Sequence, residues 1–204
     1  YTVDMVFVKF RTSGHLLDFQ PERFPFDTFI LKVTAEDGSE YFLDGGSNHA
    51  YINVLPPDFL VPNARMIKYS GTGHWVDLTR LCVSGTNMYF VAGYDPKGEI
   101  IGTLTIRYRG EDAYLAKFDY ASYADEDAYM EDLEEDFGVE VVEYSSTGLK
   151  DFSDNASEKI SFTYSPDTSA DLVYVNLFID PFHSKDTFQS MNRSCPVDFP
   201  YPYS

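Results

Sequence analysis

The chain has 204 residues and a formal net charge of −18, with 33 acidic residues against 15 basic ones. So negative a chain repels phosphate groups, which argues against binding to nucleic acid or to an anionic membrane surface. The length suffices for one large domain or two small ones that need no metal or disulfide framework to fold. Aromatic residues make up 17% of the chain, which favours strands over helices.

The first seventy residues predict an antiparallel sheet. Residues 3–10 have a strand pattern, and residues 26–33 and 39–44 flank a short loop that contains Asp37-Gly38. Two β-rich runs joined in this way predict a hairpin. Residues 45–65 contain paired glycines and three prolines, which predicts an irregular segment.

The remaining residues predict a second β unit with a helical insert. Its expected strands are residues 74–83, 87–95, 99–110, 139–144, 158–165 and 170–179, with turns at Pro96-Lys97-Gly98 and at residues 165–169. Residues 111–137 have helical periodicity, with a possible break into two helices near Asp125 and a stop at Gly138. The tail after Cys195 alternates proline with aromatic residues and is expected to lie extended across a surface. The predicted fold class is mainly β (α+β), with domains at 1–72 and 73–204, the second a β-sandwich-like domain with one acidic helical segment.

The residues give little support for a metal, a cofactor or a membrane span. His15, His49, His74 and His183 are scattered, and no pair has the spacing of zinc ligands. The acidic run from Asp125 to Asp136 lies on helical periodicity, so a solvated helix face is favoured over a calcium loop. No apolar run reaches membrane length, so no membrane insertion is expected. We expect no cofactor.

The two cysteines, Cys82 and Cys195, could form a disulfide or be buried thiols, and buried thiols are favoured because a free cysteine behaves as a small hydrophobic residue. Cys82 falls within an apolar strand pattern, where burial would raise the pKa of the thiol and make it inert. Cys195 lies beside Pro196 in the tail. Neither precedes a predicted helix whose N-terminus would stabilise a thiolate, and the sequence leaves open whether the two pair.

Two stretches resemble a known family. The run "FPFDTFILKVTAEDGSEYFLDGG" followed by "LPPDFLVPNARMI" resembles the second half of the core of bacterial transglutaminase-like cysteine proteases. The stretch "SCPVDFPYPYS" is similar to the close of such proteins. The resemblance implies an N-terminal β domain, a transglutaminase-like core and a C-terminal β domain. The chain also opens in an apparent mid-strand, so residues 1–72 are expected to be a remnant of that core.

The resemblance carries over one of three catalytic positions. The family Asp falls on Asp44, the family His falls on Thr28, and Asp27 stands where the family has Asn. The family Cys opens a helix upstream of the hairpin, in sequence that this chain does not contain. A Thr hydroxyl does not act as a general base near neutral pH. His49, five residues after Asp44, is a weak candidate for a substitute base.

Three functions follow from these observations. The first is a non-catalytic structural or binding portion of a degenerate transglutaminase-like protein, periplasmic or extracellular in the bacterial envelope. Its partners would be a peptide, a glycan or upstream domains of the same protein, and its oligomeric state is not predicted. The second is an active cysteine peptidase or transglutaminase-like hydrolase completed by upstream sequence. The third is a carbohydrate- or peptide-binding β-sandwich module, in which a carbohydrate site would use Trp75, the sole tryptophan.

Overall fold

A computed structural model of the protein describes residues 1–14, 16 and 25–165. These residues form two antiparallel sheets and two helices, which confirms the mainly β class. The strands are β1 (Thr2–Val8), β2 (Thr28–Thr34), β3 (Glu40–Leu43), β4 (Ala64–Ile67), β5 (Gly73–Val76), β6 (Gly85–Tyr94), β7 (Ile100–Arg109), β8 (Glu140–Thr147) and β9 (Asn155–Tyr164), and the helices are α1 (Glu111–Tyr120) and α2 (Glu126–Phe137). None of these helices is long and apolar enough to span a membrane.

The first sheet has the strand order β3-β2-β1-β4-β5. The central strand, β1, pairs antiparallel with β2 on one side and with β4 on the other. The hairpin predicted from Asp37-Gly38 is confirmed as β2 and β3. Gly38 has a φ of 85°, a left-handed conformation that glycine adopts without the steric penalty of a Cβ atom.

One face of the first sheet, the inner face, is covered by the chain itself. Val6, Val8 and Ile30 point to this side and are at most 1% exposed. Residues 50–61, which contain only an isolated bridge and a short 3-10 helix, lie against this face and supply Leu55 and Leu60 to the same cluster. The irregular segment therefore covers the inner face and closes the hydrophobic core of the first sheet.

The second sheet has the order β6-β7-β9-β8, and both helices pack on one of its faces. The predicted break near Asp125 is confirmed, because Asp125 is the N-cap of α2 and its Oδ1 accepts a hydrogen bond from the Ala128 N–H at 2.9 Å. Gly138 ends α2 in a left-handed conformation, as predicted. In the described residues from β6 to β9, helices rather than a second sheet cover this face. This unit therefore has one sheet layer and one helix layer, and is not the sandwich that was expected.

A carboxylate is buried between the second sheet and α2. Glu158 on β9 is 1% exposed, and both of its carboxylate oxygens accept from the Tyr129 hydroxyl at 3.0 Å. Burial raises the pKa of Glu158 to about 7. Tyr120, Tyr123 and Tyr144 stand edge-on around Tyr129, so the tyrosine that binds the acid is itself held by aromatic rings.

The strand predicted over residues 74–83 is wrong in extent. The observed strand, β5, ends at Val76 and belongs to the first sheet. Residues 77–84 form the connection between the two sheets, a few residues after the predicted boundary between 72 and 73. The predicted strand 170–179, the tail with Cys195, and the residues His15 and His183 lie outside the described ranges.

Candidate functional site

Thr28 and Asp44, which the sequence resemblance singled out, lie at one end of the β2–β3 hairpin. Thr28 is the first residue of β2 and pairs with Val8 of β1. Asp44 directly follows β3, whose last residue, Leu43, pairs with Leu31. The hairpin thus places Asp44 and Thr28 on neighbouring chain segments.

The carboxylates at this end accept hydrogen bonds from backbone N–H groups. Asp44 Oδ1 accepts from the Gly46 N–H at 2.9 Å, and Asp27 Oδ2 accepts from the Phe10 N–H at 2.7 Å. Both contacts fix the chain where strands end. A catalytic triad requires an imidazole hydrogen-bonded to a carboxylate. Among the described residues, no imidazole is hydrogen-bonded to Asp44 or Asp27.

His49, the candidate substitute base, is directed toward helix α1. Its ring stands edge-on to Tyr114 at 6.3 Å and to Phe118 at 6.0 Å between centroids. Its backbone N–H donates to Ser47 Oγ, whose hydroxyl in turn donates to the Tyr114 hydroxyl. His49 therefore helps to join the two sheets through α1 rather than to complete a triad.

Cys82 lies in the connection between the sheets, not in a strand as predicted. Its Sγ donates to Glu111 Oε2 at 3.0 Å, and Ser84 Oγ donates to the same carboxylate oxygen. Burial, followed by the hydrogen bond to Glu111, raises the pKa of Cys82 to about 12. The thiol is protonated at neutral pH and is a poor nucleophile. An inert thiol was predicted from the sequence, although for a cysteine within a strand.

A cavity of about 430 Å³ lies where α1, the segment between the helices and the β8–β9 loop meet. Its lining includes His49, Lys117, Tyr120, Glu126 and Lys150. The Tyr120 hydroxyl donates to Glu126 Oε2 at 3.2 Å, and the Lys150 ammonium lies 5.1 Å from the centre of the Tyr120 ring. The polar groups of this cavity thus bind one another.

Lys117, in the same cavity wall, is 2% exposed and anchors the β8–β9 loop. Its ammonium donates to the carbonyls of Asp151 (3.0 Å) and Ser153 (2.5 Å) and to Ser153 Oγ (3.3 Å). Burial lowers the pKa of Lys117, although the nearby carboxylates of Asp151 and Asp154 oppose this shift. An ammonium has three donors, and all three are used, so Lys117 is a structural group.

We expect Lys117→Met to lower the free energy of unfolding by about 2 kcal/mol, because two partly buried carbonyls would lose the donor that Lys117 supplies. Urea denaturation followed by circular dichroism measures this change. Lys150→Met is the matched control, since Lys150 is exposed on the same loop, and it should change stability little. Equal stability of Lys117→Met and the parent would show that the anchor is dispensable.

The other face of the first sheet, here called the apolar face, carries exposed hydrophobic side chains. Seven of its side chains are large, hydrophobic and between 37% and 51% exposed. The pairing of the strands places Leu43, Leu31, Met5 and Ile67 in one row across four strands. The whole face consists of Val3, Met5, Phe7, Phe29, Leu31, Val33, Tyr41, Leu43, Arg65, Ile67, Gly73 and Trp75.

Arg65 is the single charged side chain of the apolar face. Its guanidinium carbon lies 4.7 Å from the centre of the Trp75 ring, a cation–π contact. It also lies flat against Gly73, where an added Cβ would come within 2.6 Å of Nη2. The arginine covers the ring face on which a sugar would stack, so the geometry does not favour the expected carbohydrate site at Trp75.

Sequence reasoning missed the apolar face although its signal is present. Strand β1 is apolar in both phases of its alternation, with Val6 and Val8 on the inner face and Val3, Met5 and Phe7 on the other. A strand that is apolar on both sides is typical of a sheet covered on both faces. Large contiguous apolar surfaces are rare on monomeric proteins and mark interaction sites.

Comparison of the chain with protein-family models, with curated proteins and with solved structures gave no match. The functional assignment therefore depends on the geometry of the apolar face and on the residues at the end of the β2–β3 hairpin.

Proposed function

We propose that this chain is a non-catalytic structural and binding module, the C-terminal portion of a degenerate transglutaminase-like protein of the bacterial envelope. The observation that carries the proposal is the apolar face of the first sheet. Covering its exposed row of Leu31, Met5 and Ile67 with another apolar surface would remove these side chains from water and stabilise the assembly. In this proposal, the first sheet is the middle layer of an assembly.

The non-catalytic part of the proposal is supported by the chemistry at the hairpin. Thr28 stands where the family base is expected, and its hydroxyl takes no proton near neutral pH. The carboxylate of Asp44 is held by its own turn, and the ring of His49 contacts α1. The described cysteine, Cys82, is held as a thiol by burial and by Glu111.

The proposal predicts that peptidase and transglutaminase activities are absent from the intact protein and that Asp44→Ala changes neither. Hydrolysis of labelled casein and incorporation of a labelled amine into casein measure the two activities. Circular dichroism of the variant checks that the fold is retained. Measurable turnover by the parent that disappears in a folded Asp44→Ala variant would overturn the proposal in favour of a hydrolase.

Thr28→His gives a second test of the same assignment. The substitution restores the residue type that the resemblance expects, beside Asp44 on the neighbouring segment. Restored activity in the intact protein would support descent from an enzyme that lost its base. A folded but inactive Thr28→His variant would mean that loss of the base does not by itself explain the inactivity.

A further inference from the structure

One edge of the second sheet is a long strand that lacks any feature to keep another strand away. Strand β6 has 10 residues, contains no charged residue and no proline, and has no buried residue. Among the described residues it pairs with β7 alone, so its other side is a free edge of the sheet. A free edge of this length is a template for a further strand.

The other three edges of the two sheets are protected. Strands β3 and β5, at the edges of the first sheet, have 4 residues each. Strand β8 carries Glu140 and Glu143, and its pairing with β9 is irregular between Val141 and Glu143. Short strands, charged residues and bulges all oppose edge-to-edge pairing of sheets. Strand β6 has none of these features, although the chain is rich in acidic residues.

The β6–β7 hairpin shows which backbone groups face the free edge. The Asp95 N–H donates to the Glu99 carbonyl at 2.9 Å, so these two residues form a hydrogen-bonded pair at the end of the hairpin. Such pairs alternate along an antiparallel ladder, so the odd-numbered residues of β6 direct their N–H and C=O groups toward β7. The even-numbered residues direct theirs to the free edge, and they are Thr86, Met88, Phe90, Ala92 and Tyr94.

A second copy of β6 pairs all of these edge groups in one antiparallel register. In that register, Phe90 lies opposite the second copy's Phe90 on a two-fold axis. Met88 then lies opposite Ala92, and Thr86 lies opposite Tyr94. Every edge N–H and C=O of both strands gains a partner, whereas any other register leaves some of them unpaired.

The side chains are also compatible with this register. On the outer side of the sheet, Tyr89 of each copy lies opposite Val91 of the other. These two residues form a non-hydrogen-bonded pair, in which side chains approach most closely, and aromatic residues pair favourably with β-branched ones. Each copy has a net charge of −18, but none of that charge lies in β6, so no two carboxylates of the paired strands face each other.

We propose that two copies of this chain form a symmetric dimer through β6, which joins their four-stranded sheets into one continuous antiparallel sheet. A two-fold axis is the commonest symmetry of soluble oligomers. The contact uses backbone groups at the edge and leaves the outer side chains open to solvent. It is separate from the apolar face of the first sheet, so the dimer does not depend on the docking role proposed above.

Sedimentation velocity of the chain at micromolar to millimolar concentrations measures the association, and we expect a monomer–dimer equilibrium. Ala92→Pro removes an edge N–H that β7 does not use, and proline is tolerated at such positions. It should keep the circular dichroism of the parent and weaken the dimer about a hundredfold, because the hydrogen bond is lost twice by symmetry. Ala92→Ser keeps the N–H and is the matched control. Ile101→Lys, on the outer side of β7, should also leave the dimer intact.

Two exposed positions test the register without a change in the backbone. Tyr89→Glu and Val91→Lys are made in separate chains. In a mixed dimer, the glutamate of one copy lies opposite the lysine of the other. We expect the mixture to associate about threefold more tightly than either variant alone, because opposite charges that face each other across two strands attract. Equal association of the mixture and of the single variants would contradict this register.

The edge contact is overturned by either of two further results. A dimer that Ile101→Lys abolishes and that Ala92→Pro leaves intact would mean that outer faces pack together. A chain that stays monomeric would exclude the dimer, and amide hydrogen exchange would then identify what covers the edge. Protected amides at Phe90 and Ala92 would assign the cover to another part of the same chain, and fast exchange would leave the edge to a foreign strand. None of these results bears on the apolar face, which the labelling comparison at the end of the Discussion tests.

Discussion

Replacing Glu158 by glutamine will raise the free energy of unfolding at pH 8 by about 3 kcal/mol and leave it nearly unchanged at pH 4. The pKa of Glu158 is about 7 in the folded protein against an ordinary value of 4.5. Between these values, the folded state keeps a proton that the unfolded state releases, so stability falls as pH rises from 4.5 through 7. The difference of about 2.5 pKa units corresponds to about 3 kcal/mol. Glutamine remains neutral and can still accept from the Tyr129 hydroxyl.

Urea denaturation of the parent and of Glu158→Gln at pH values from 4 to 8 measures this difference. Glu131→Gln is the control, because Glu131 is an exposed carboxylate on α2. Its curve should run parallel to that of the parent. A Glu158→Gln variant whose stability differs from the parent by the same amount at pH 4 and at pH 8 would show that Glu158 ionises normally in the fold.

The same polar substitution will destabilise the protein much more on the inner face of β2 than on its apolar face. Ile30→Thr on the inner face should lower the free energy of unfolding by about 3 kcal/mol, because it leaves a cavity and buries a hydroxyl. Leu31→Thr on the apolar face should lower it by less than about 1 kcal/mol, because Leu31 is 37% exposed and threonine suits a strand. Chemical denaturation of the two variants side by side gives both values.

The comparison of Ile30 with Leu31 separates folding from docking. If Leu31→Thr proves as destabilising as Ile30→Thr, the apolar face is part of the chain's own core, and its role as a docking surface is wrong. A stable Leu31→Thr variant means that the hydrophobic side chains of this face are not needed for the fold of the isolated chain.

Local signals predicted the local structure well. The β2–β3 hairpin followed from Asp37-Gly38, and the turn between β6 and β7 followed from Pro96-Lys97-Gly98, where Gly98 has a φ of 86°. The break between the helices and the end of α2 followed from Asp125 and Gly138, because capping depends on a few neighbouring residues. These features need no information from distant parts of the chain.

Features that depend on distant contacts were predicted less well. The apolar pattern of residues 77–83 looked like a continuation of β5, yet Leu78 is instead buried in the core of the first sheet and Cys82 contacts Glu111 at the start of α1. The environment of Glu158 is likewise set by Tyr129, which is 29 residues away in the chain. The alternation of apolar residues is visible in the sequence of single strands. Only the register of all five strands shows that these residues lie on one surface.

The role of the apolar face is tested most directly by chemical labelling of Leu31→Cys with a maleimide. The isolated chain is compared with the same variant in its native assembly in source cells, and the label is located by peptide mass. Val91→Cys on the second sheet is the control, since Val91 is 72% exposed. We predict rapid labelling of position 31 in the isolated chain and protection in the assembly, with position 91 labelled in both. Equal labelling of position 31 in both settings would contradict the docking function.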